Sequence, residues 1–453
     1  MANPTDDSGL LAIYKRWYDD RKMTDVLTRE SPILRDTPMT VVGGDEFAYA
    51  TNYSAGGASS ASAIVAARNA AAGQGKTVQW LAQRARLFSI FNITPQEIMA
   101  SENVRGAFVP APVIKMGDGL HSMRRLWATS LYGTGYGEVG QVGGAGFTSA
   151  ADGTNALDVG DYSIIKKLDL GVTFKVTDGA TPASPLRAGL ATITAINGTV
   201  IHFTYTAVEL WAATDYIEIE GCRDGSNPAL PYGLPSVLPY ADRSSTFYGV
   251  DRSLFVDRLS GSLITRTHDE TLSDVVTRGL NQARWAGNGN EMMWIVNNYD
   301  YADFIAEITG VTQLMQQTNV AGKGSDNMVT RGLAEAQFRF QNSFLSKIYD
   351  DPFCPRGKSW IVDKDSIEII LLGGEKVVQD GINGNDPGVG SPVDATGLDY
   401  KFAQPLIDRY MTTQAGELTD GGPVVQTILQ IYPQLICRQP GHCVVLNLVN
   451  PSA

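Results

Sequence analysis

Histidine and cysteine are scarce in this 453-residue chain, with four of each. His121, His202, His268 and His442 stand far apart, and the chain has no G-x-S-x-G elbow, no H-E-x-x-H helix and no zinc-finger spacing. Carboxylates are plentiful, but their number assigns neither an acid nor a base. No catalytic residue, metal ligand or cofactor site emerges. Cys222, Cys354, Cys437 and Cys443 suit reduced, buried thiols better than a disulfide framework. Cys437, His442 and Cys443 invite a metal, yet no second ligand pair accompanies them. No apolar run approaches the roughly 20 residues that span a bilayer, and MANPTDDSG has neither the basic start nor the apolar core of a signal peptide. A protein made in a cytosol, with no membrane partner, is expected. Cations are also short, with 36 Lys and Arg against 48 Asp and Glu and a net charge of −12. Gripping nucleic acid over a whole surface takes Lys and Arg to neutralise phosphates, so that class is excluded. A container whose wall repels phosphate, letting packaged DNA slide, is not.

Forty-three per cent of the residues are apolar, 19% are charged and 47 are glycine, so the chain has material for two or three domains with many turns. Residues 9–27 place Leu10, Ile13, Trp17, Met23 and Leu27 at helical spacing, an amphipathic helix with a narrow stripe suited to docking on a neighbour. SPILRDTP (31–38) then reads as extended because of its two prolines. In EFAYATNY (46–53), Phe47, Tyr49, Thr51 and Tyr53 share one face of a half-exposed strand. An Ala/Gly/Ser tract extends from there to Gly75, and residues 76–93 carry the chain back. Two long arms joined by such a tip have little to bury between them, so Phe47, Tyr49, Tyr53 and Trp80 are expected to be exposed. AAAGQGKT (70–77) ends like a phosphate-binding P-loop, but Ala70 stands where the first glycine is needed. GYGEVG (135–140) spells G-x-G-x-x-G, but after a helix rather than a strand.

Thr94 and Glu97 form a capping box for a helix over 94–100, and Leu120, Met123, Trp127 and Leu131 mark a second helical face ended by Gly133. His121 beside that face reads as a surface or interface residue. YSIIKKL, GVTFKV, LATITAI, TVIHFTYT and DYIEIEG, all within 162–221, read as strands of a small antiparallel sheet or barrel. SSTFYGVDRSLF (244–255) joins this half to one where helices and strands alternate. Its plain reading is a turn in which Gly249 takes a positive φ and Asp251 either pairs with Arg252 or caps the adjoining helix. Beyond it come a capping box of Thr267 and Glu270 for a helix through Trp285, a buried strand at 291–297 and a helix capped by Asn298. This alternation predicts an α/β layer, and residues 379–397 read as a solvated or inter-subunit loop.

The aromatic-Gly-Val-Asp-Arg-Ser element at 247–253, with its neighbours, resembles the major capsid proteins of tailed bacteriophages, which share the Hong Kong 97-type fold. LYGTGYGEVGQV (131–142) looks like the glycine-rich exit from that family's spine helix. KIYDDPFCPRGKSWIVD (347–363) is similar to the strand, Asp-Pro turn, strand of its axial domain, and YPQLICRQPGHCVVLNLV (432–449) to its final strand pair. The resemblance covers most of the chain from about residue 10 onward. It implies an α+β capsid fold: N-terminal arm (1–38), extended loop hairpin (39–94), peripheral domain with spine helix (95–156), β-rich insert (157–243), axial α/β domain (244–427) and strands returning to the peripheral domain (428–453). The implied function is a shell protein, not an enzyme, that self-assembles as hexamers and pentamers into an icosahedral phage head enclosing double-stranded DNA. It would be made in the bacterial host and reside in the virion. Its partners would be further copies of itself, scaffold, cement and portal proteins, and DNA bound without sequence preference. Lacking a large extension before Leu10, the chain would use a separate scaffold if any. Trp17, Phe47, Tyr49, Tyr53, Trp80, Arg84 and Arg86 are the expected inter-subunit contacts. The alternatives are a P-loop-like nucleotide-binding enzyme, resting on Lys76, and a cellular nanocompartment shell of the same fold.

Overall fold

The computed structural model describes residues 31–42, 46–54, 59–72, 75–83, 85–93, 111–144, 147–148, 155–207, 210–286, 292–312, 339–340, 343–372, 406–408 and 425–449. Trp17 with the 9–27 helix, Arg84, the 94–100 helix and the 379–397 loop lie outside the described residues. The chain divides into two compact units. One includes Arg86–Trp127 and Gly373–Tyr432; the other includes Ser31–Ala85, Ala128–Leu372 and Pro433–Ala453.

In the first unit, Val425–Ile431 lies between Leu87–Ile93 and Leu406–Asp408 in an antiparallel sheet, with Val425 opposite Ile93 and Ile431 opposite Leu87. Most of the long helix Ala111–Ser130 also belongs here, with Met123 and Trp127 buried at the expected spacing.

The second unit is built on two sheets and an insert. Its main sheet has six strands in the order Ser262–Thr265, Val444–Asn447, Lys358–Asp363, Met292–Val296, Ser343–Asp350, Arg339–Phe340. Pairing is parallel at 262/444 and 292/345 and antiparallel elsewhere. Met292–Val296 is buried along its length, which is what an uninterrupted apolar run in a central strand requires. Helix Leu272–Trp285 turns Leu272, Val275, Val276, Leu280 and Ala283 into a shared core with Trp294, Ile361, Val444 and Leu446. Two helix starts differ from expectation by local hydrogen bonding. Thr267 and Glu270 do bond each other, but in the preceding turn, and Thr271 is the cap, accepting from the Asp274 amide. Likewise Asn297 rather than Asn298 caps the helix Asn298–Thr312, accepting from the Tyr299 amide at 2.9 Å.

A second, small sheet sets Ile367–Leu372 between Met39–Val42, parallel, and Pro433–Cys437, antiparallel. Met39–Val42 is therefore no part of the hairpin that the sequence suggests from residue 39 onward. The final strand pair, Pro433–Cys437 and Val444–Asn447, finds its partners in this unit's two sheets. Residues 31–38 are also not uniformly extended. Pro32 occupies the first turn of a short helix, Pro32–Asp36, where its missing N–H costs nothing. Just before it, the Ser31 hydroxyl and the Tyr132 hydroxyl (2.8 Å) both donate to the buried carboxylate of Asp351, whose pKa burial pushes up.

The insert is a six-stranded antiparallel sheet, ordered Glu138–Gln141, Tyr216–Ile219, Thr173–Val176, Ala191–Asn197, Val200–Tyr205, Asn155–Asp158. It begins earlier in the chain than residue 157, because both its edge strands come from the segment after the long helix. Phe174, Phe203, Tyr205 and Trp211 fill its core. YSIIKKL is helical rather than a strand, since Asp161 caps Tyr162–Lys167 by accepting from the Ser163 amide. The chain leaves the insert through Gly233, where an added Cβ would lie 2.3 Å from the carbonyl oxygens of Ser130 and Leu131. Gly233→Ala is expected to cost about 3 kcal/mol because backbone must move. Gly225→Ala, with no atom within 4 Å of its added Cβ, should cost only left-handed strain of about 1 kcal/mol. Denaturant midpoints of the two variants check the difference.

Candidate assembly site

The segment 244–255 folds as a two-residue hairpin. Phe247 pairs with Val250, and the residues between them, Tyr248 and Gly249, have φ of +47° and +79°. Two positive φ values match the tight turn whose twist suits a β-hairpin, but a tyrosine at the first position is unusual and strained. Packing holds it there: the Tyr248 hydroxyl donates to Leu435 O at 3.0 Å, and its ring lies against Phe247 and Tyr232. Asp251 caps the next turn by accepting from the Ser253 amide, one of the two roles the sequence left open. Arg252 takes the other course. It is buried, it donates to the carbonyls of Ser236 (3.0 Å), Val237 (3.4 Å) and Ser245 (3.1 Å), and its guanidinium lies 4.6 Å above the Phe247 ring. Burial brings its pKa down to about 10.

This turn is the seat of a long hairpin. Glu46–Ser54 pairs antiparallel with Lys76–Gln83, Tyr49 opposite Trp80. The two rings stack at 6.0 Å, Trp80 meets Phe247 edge-on at 6.4 Å, and the Leu81 amide donates to Tyr248 O. The Trp80 indole donates to Thr51 Oγ1, and the Thr51 hydroxyl to Arg438 O, both at 3.1 Å. The Tyr49 hydroxyl bonds the Cys437 backbone, and burial holds its pKa above the usual tyrosine range. Farther along, Arg258 Nη1 donates to Tyr53 O at 2.7 Å.

The shared face of Phe47, Tyr49, Thr51 and Tyr53 is as the alternation requires, and Glu46, Ala48, Ala50 and Asn52 face solvent. The expected exposure of the aromatics is corrected. Trp80 and Tyr49 retain 2% and 8% of their surface, while Phe47 and Tyr53 are half-buried. For Trp80 and Tyr49 the covering surface is supplied by the same subunit, through Phe247 and the strand ending at Cys437. Arg86 is exposed, in the other unit. Tyr232, Gln434 and Arg258 carry no signal in the sequence. Only their positions beside the turn give them a role, with Gln434 accepting from the Tyr232 amide at 3.0 Å.

The hairpin tip is different in kind. The Ala-rich tract forms a helix, Ala63–Ala72, with Ile64 83% exposed and Ala67 and Arg68 open to solvent. Its place also decides the P-loop question. A helix precedes Lys76 and a strand begins at it, the reverse of the strand, loop, helix order that cradles phosphate. GYGEVG likewise runs from the long helix into the strand Glu138–Gln141.

Since the seat is internal, Trp80→Ala should lower subunit stability by about 3–5 kcal/mol. Tyr49→Phe, which keeps the ring and loses one hydrogen bond, should cost about 1 kcal/mol. Chemical denaturation of both variants checks this; unchanged midpoints would mean that the hairpin does not use this seat in solution.

No family model and no curated protein matches the sequence. Among solved structures the chain is similar to the capsid protein of cyanophage A-1(L), 12% identical, over 95% of this chain and 96% of that one, with a TM-score of 0.54. It is also similar to the capsid of an empty GTA particle (9% identical, 99% and 100% covered, TM-score 0.44). A third is the holo-SrpI encapsulin complex of Synechococcus elongatus (8% identical, 99% and 96% covered, TM-score 0.41). At such identities the likeness is one of fold, and the fold is the Hong Kong 97-type fold of tailed-phage major capsid proteins.

Proposed function

We propose that the chain is a phage major capsid protein, a structural subunit and not an enzyme, which assembles as hexamers and pentamers into an icosahedral head enclosing double-stranded DNA. The observation that carries this is the match to the cyanophage capsid protein, which covers 95% of this chain and 96% of that one rather than one common motif. The exposed surface agrees with it: Ile64 on the tip helix and Trp285 at the end of Leu272–Trp285 are each more than four-fifths exposed, as contacts awaiting another copy would be. The charge of −12 suits a wall that lets DNA slide. Scaffold, cement and portal proteins are the further partners of such a shell, the virion is its destination and the bacterial host its place of synthesis.

The hairpin then has two roles. Its seat supports the subunit and its tip reaches the neighbour, so only the tip is expected to matter little to subunit stability. Expressed with its cognate scaffold, the protein should form closed shells by electron microscopy and sedimentation; a persistent monomer or dimer would refute the reading. Shells that take up a protein cargo and no DNA would favour a cellular nanocompartment instead. Replacing residues 55–75 by a short turn should leave the melting transition close to that of the parent while shells fail to close. A collapse of the melting transition in that variant would place the tip in the subunit core.

A further inference from the structure

We propose that Cys437 and Cys443 are a redox latch, two thiols that peroxide joins as a disulfide to fix the loop on which the long hairpin rests. Their Sγ atoms lie 4.0 Å apart, both buried, at the facing ends of two strands that belong to different sheets. A disulfide needs about 2.05 Å, so the sulfurs must close by about 2 Å. The joining loop is short, and Arg438 and Gln439 above the sulfurs are exposed. This loop takes up the hairpin: Arg438 O receives the Thr51 hydroxyl, the Cys437 backbone receives Tyr49, and Arg438 itself is held by Glu368 at 2.6 and 2.9 Å. Cys222 and Cys354 are equally buried but sit elsewhere, Cys222 against Gly137 and Cys354 against Lys358 O. Burial alone therefore treats the four thiols alike, and proximity separates the pair.

Burial also pushes the Cys437 thiol well above its usual pKa, so at rest that thiol is protonated and slow to react. Opening of the loop admits peroxide. One thiol, as thiolate, attacks a peroxide oxygen; the O–O bond breaks, water leaves with the released proton, and a sulfenic acid remains. The second thiol attacks that sulfur, the S–O bond breaks, a second water leaves and the S–S bond forms. Two thiols have lost two electrons, and hydrogen peroxide has gained them.

The test uses the full reduced chain, treated with hydrogen peroxide, quenched with catalase and alkylated in denaturant. Trypsin cuts after Arg438, between the two cysteines, so peptides 410–438 and 439–453 remain joined in a non-reducing digest only if the disulfide has formed. The expected result is that joined peptide, with Cys222 and Cys354 still alkylated. Amide hydrogen exchange around Leu81 should become severalfold slower and return to its former rate on reduction. Cys437→Ser should abolish both the link and the slowing; if that variant does not fold, the parent protein's two readings decide alone. Oxidation of all four cysteines without preference, separate sulfinic acids at 437 and 443, or a link that leaves Leu81 exchange unchanged would each overturn the latch.

Discussion

A buried cation held by carbonyls rather than by a carboxylate sets the second unit's geometry. Arg252 gathers the carbonyls of Ser236, Val237 and Ser245 onto one planar guanidinium, which lies in turn on the ring of Phe247. Charge-assisted bonds to carbonyls at a helix end are favourable, and removing the donor would leave buried acceptors without a partner. The fork geometry also fixes direction, so the strands on either side of Tyr248 can point only one way. From that orientation come the bond from Leu81 to Tyr248 O, the edge contact of Trp80 with Phe247 and the bond from Tyr248 to Leu435. Two distant stretches, 46–83 and 433–438, are thereby brought to one place.

Much of this was legible in order rather than in detail. The Phe247–Arg252 motif marked the junction, the alternation in 46–53 gave the hairpin its faces, and the β-branched runs after 170 gave the insert. Helix periodicity found Leu272–Trp285 and its inward face. Failures came where one local hydrogen bond or one distant partner decides. Asp161 makes a helix of a β-branched run, Thr271 competes with Thr267 for a cap, and Pro32 begins a turn instead of forbidding one. The burial of Trp80 could not be read at all, because the ring that covers it lies 167 residues farther along the chain.

The division of the hairpin explains why its sequence is so uneven. Residues that meet the seat are aromatic and directional, with Tyr49, Thr51 and Trp80 each committed to a named partner. Among its described residues the tip helix instead exposes alanines, Ile64 and Arg68. Under the proposed function, stability belongs to the seat and association to the tip, so that sequence change at the tip would alter the second without the first.

The strand Val444–Asn447 lies inside the main sheet, between Ser262–Thr265 and Lys358–Asp363, which stand on opposite sides of it. While the polypeptide is being synthesised, those two strands have no bridge between them until residue 447 has been made. Contacts spanning about 180 residues are slow to form, and a half-built sheet exposes backbone that pairs with other chains. The main sheet therefore closes only after residue 447 has been made, and its two flanking strands must wait for that last partner.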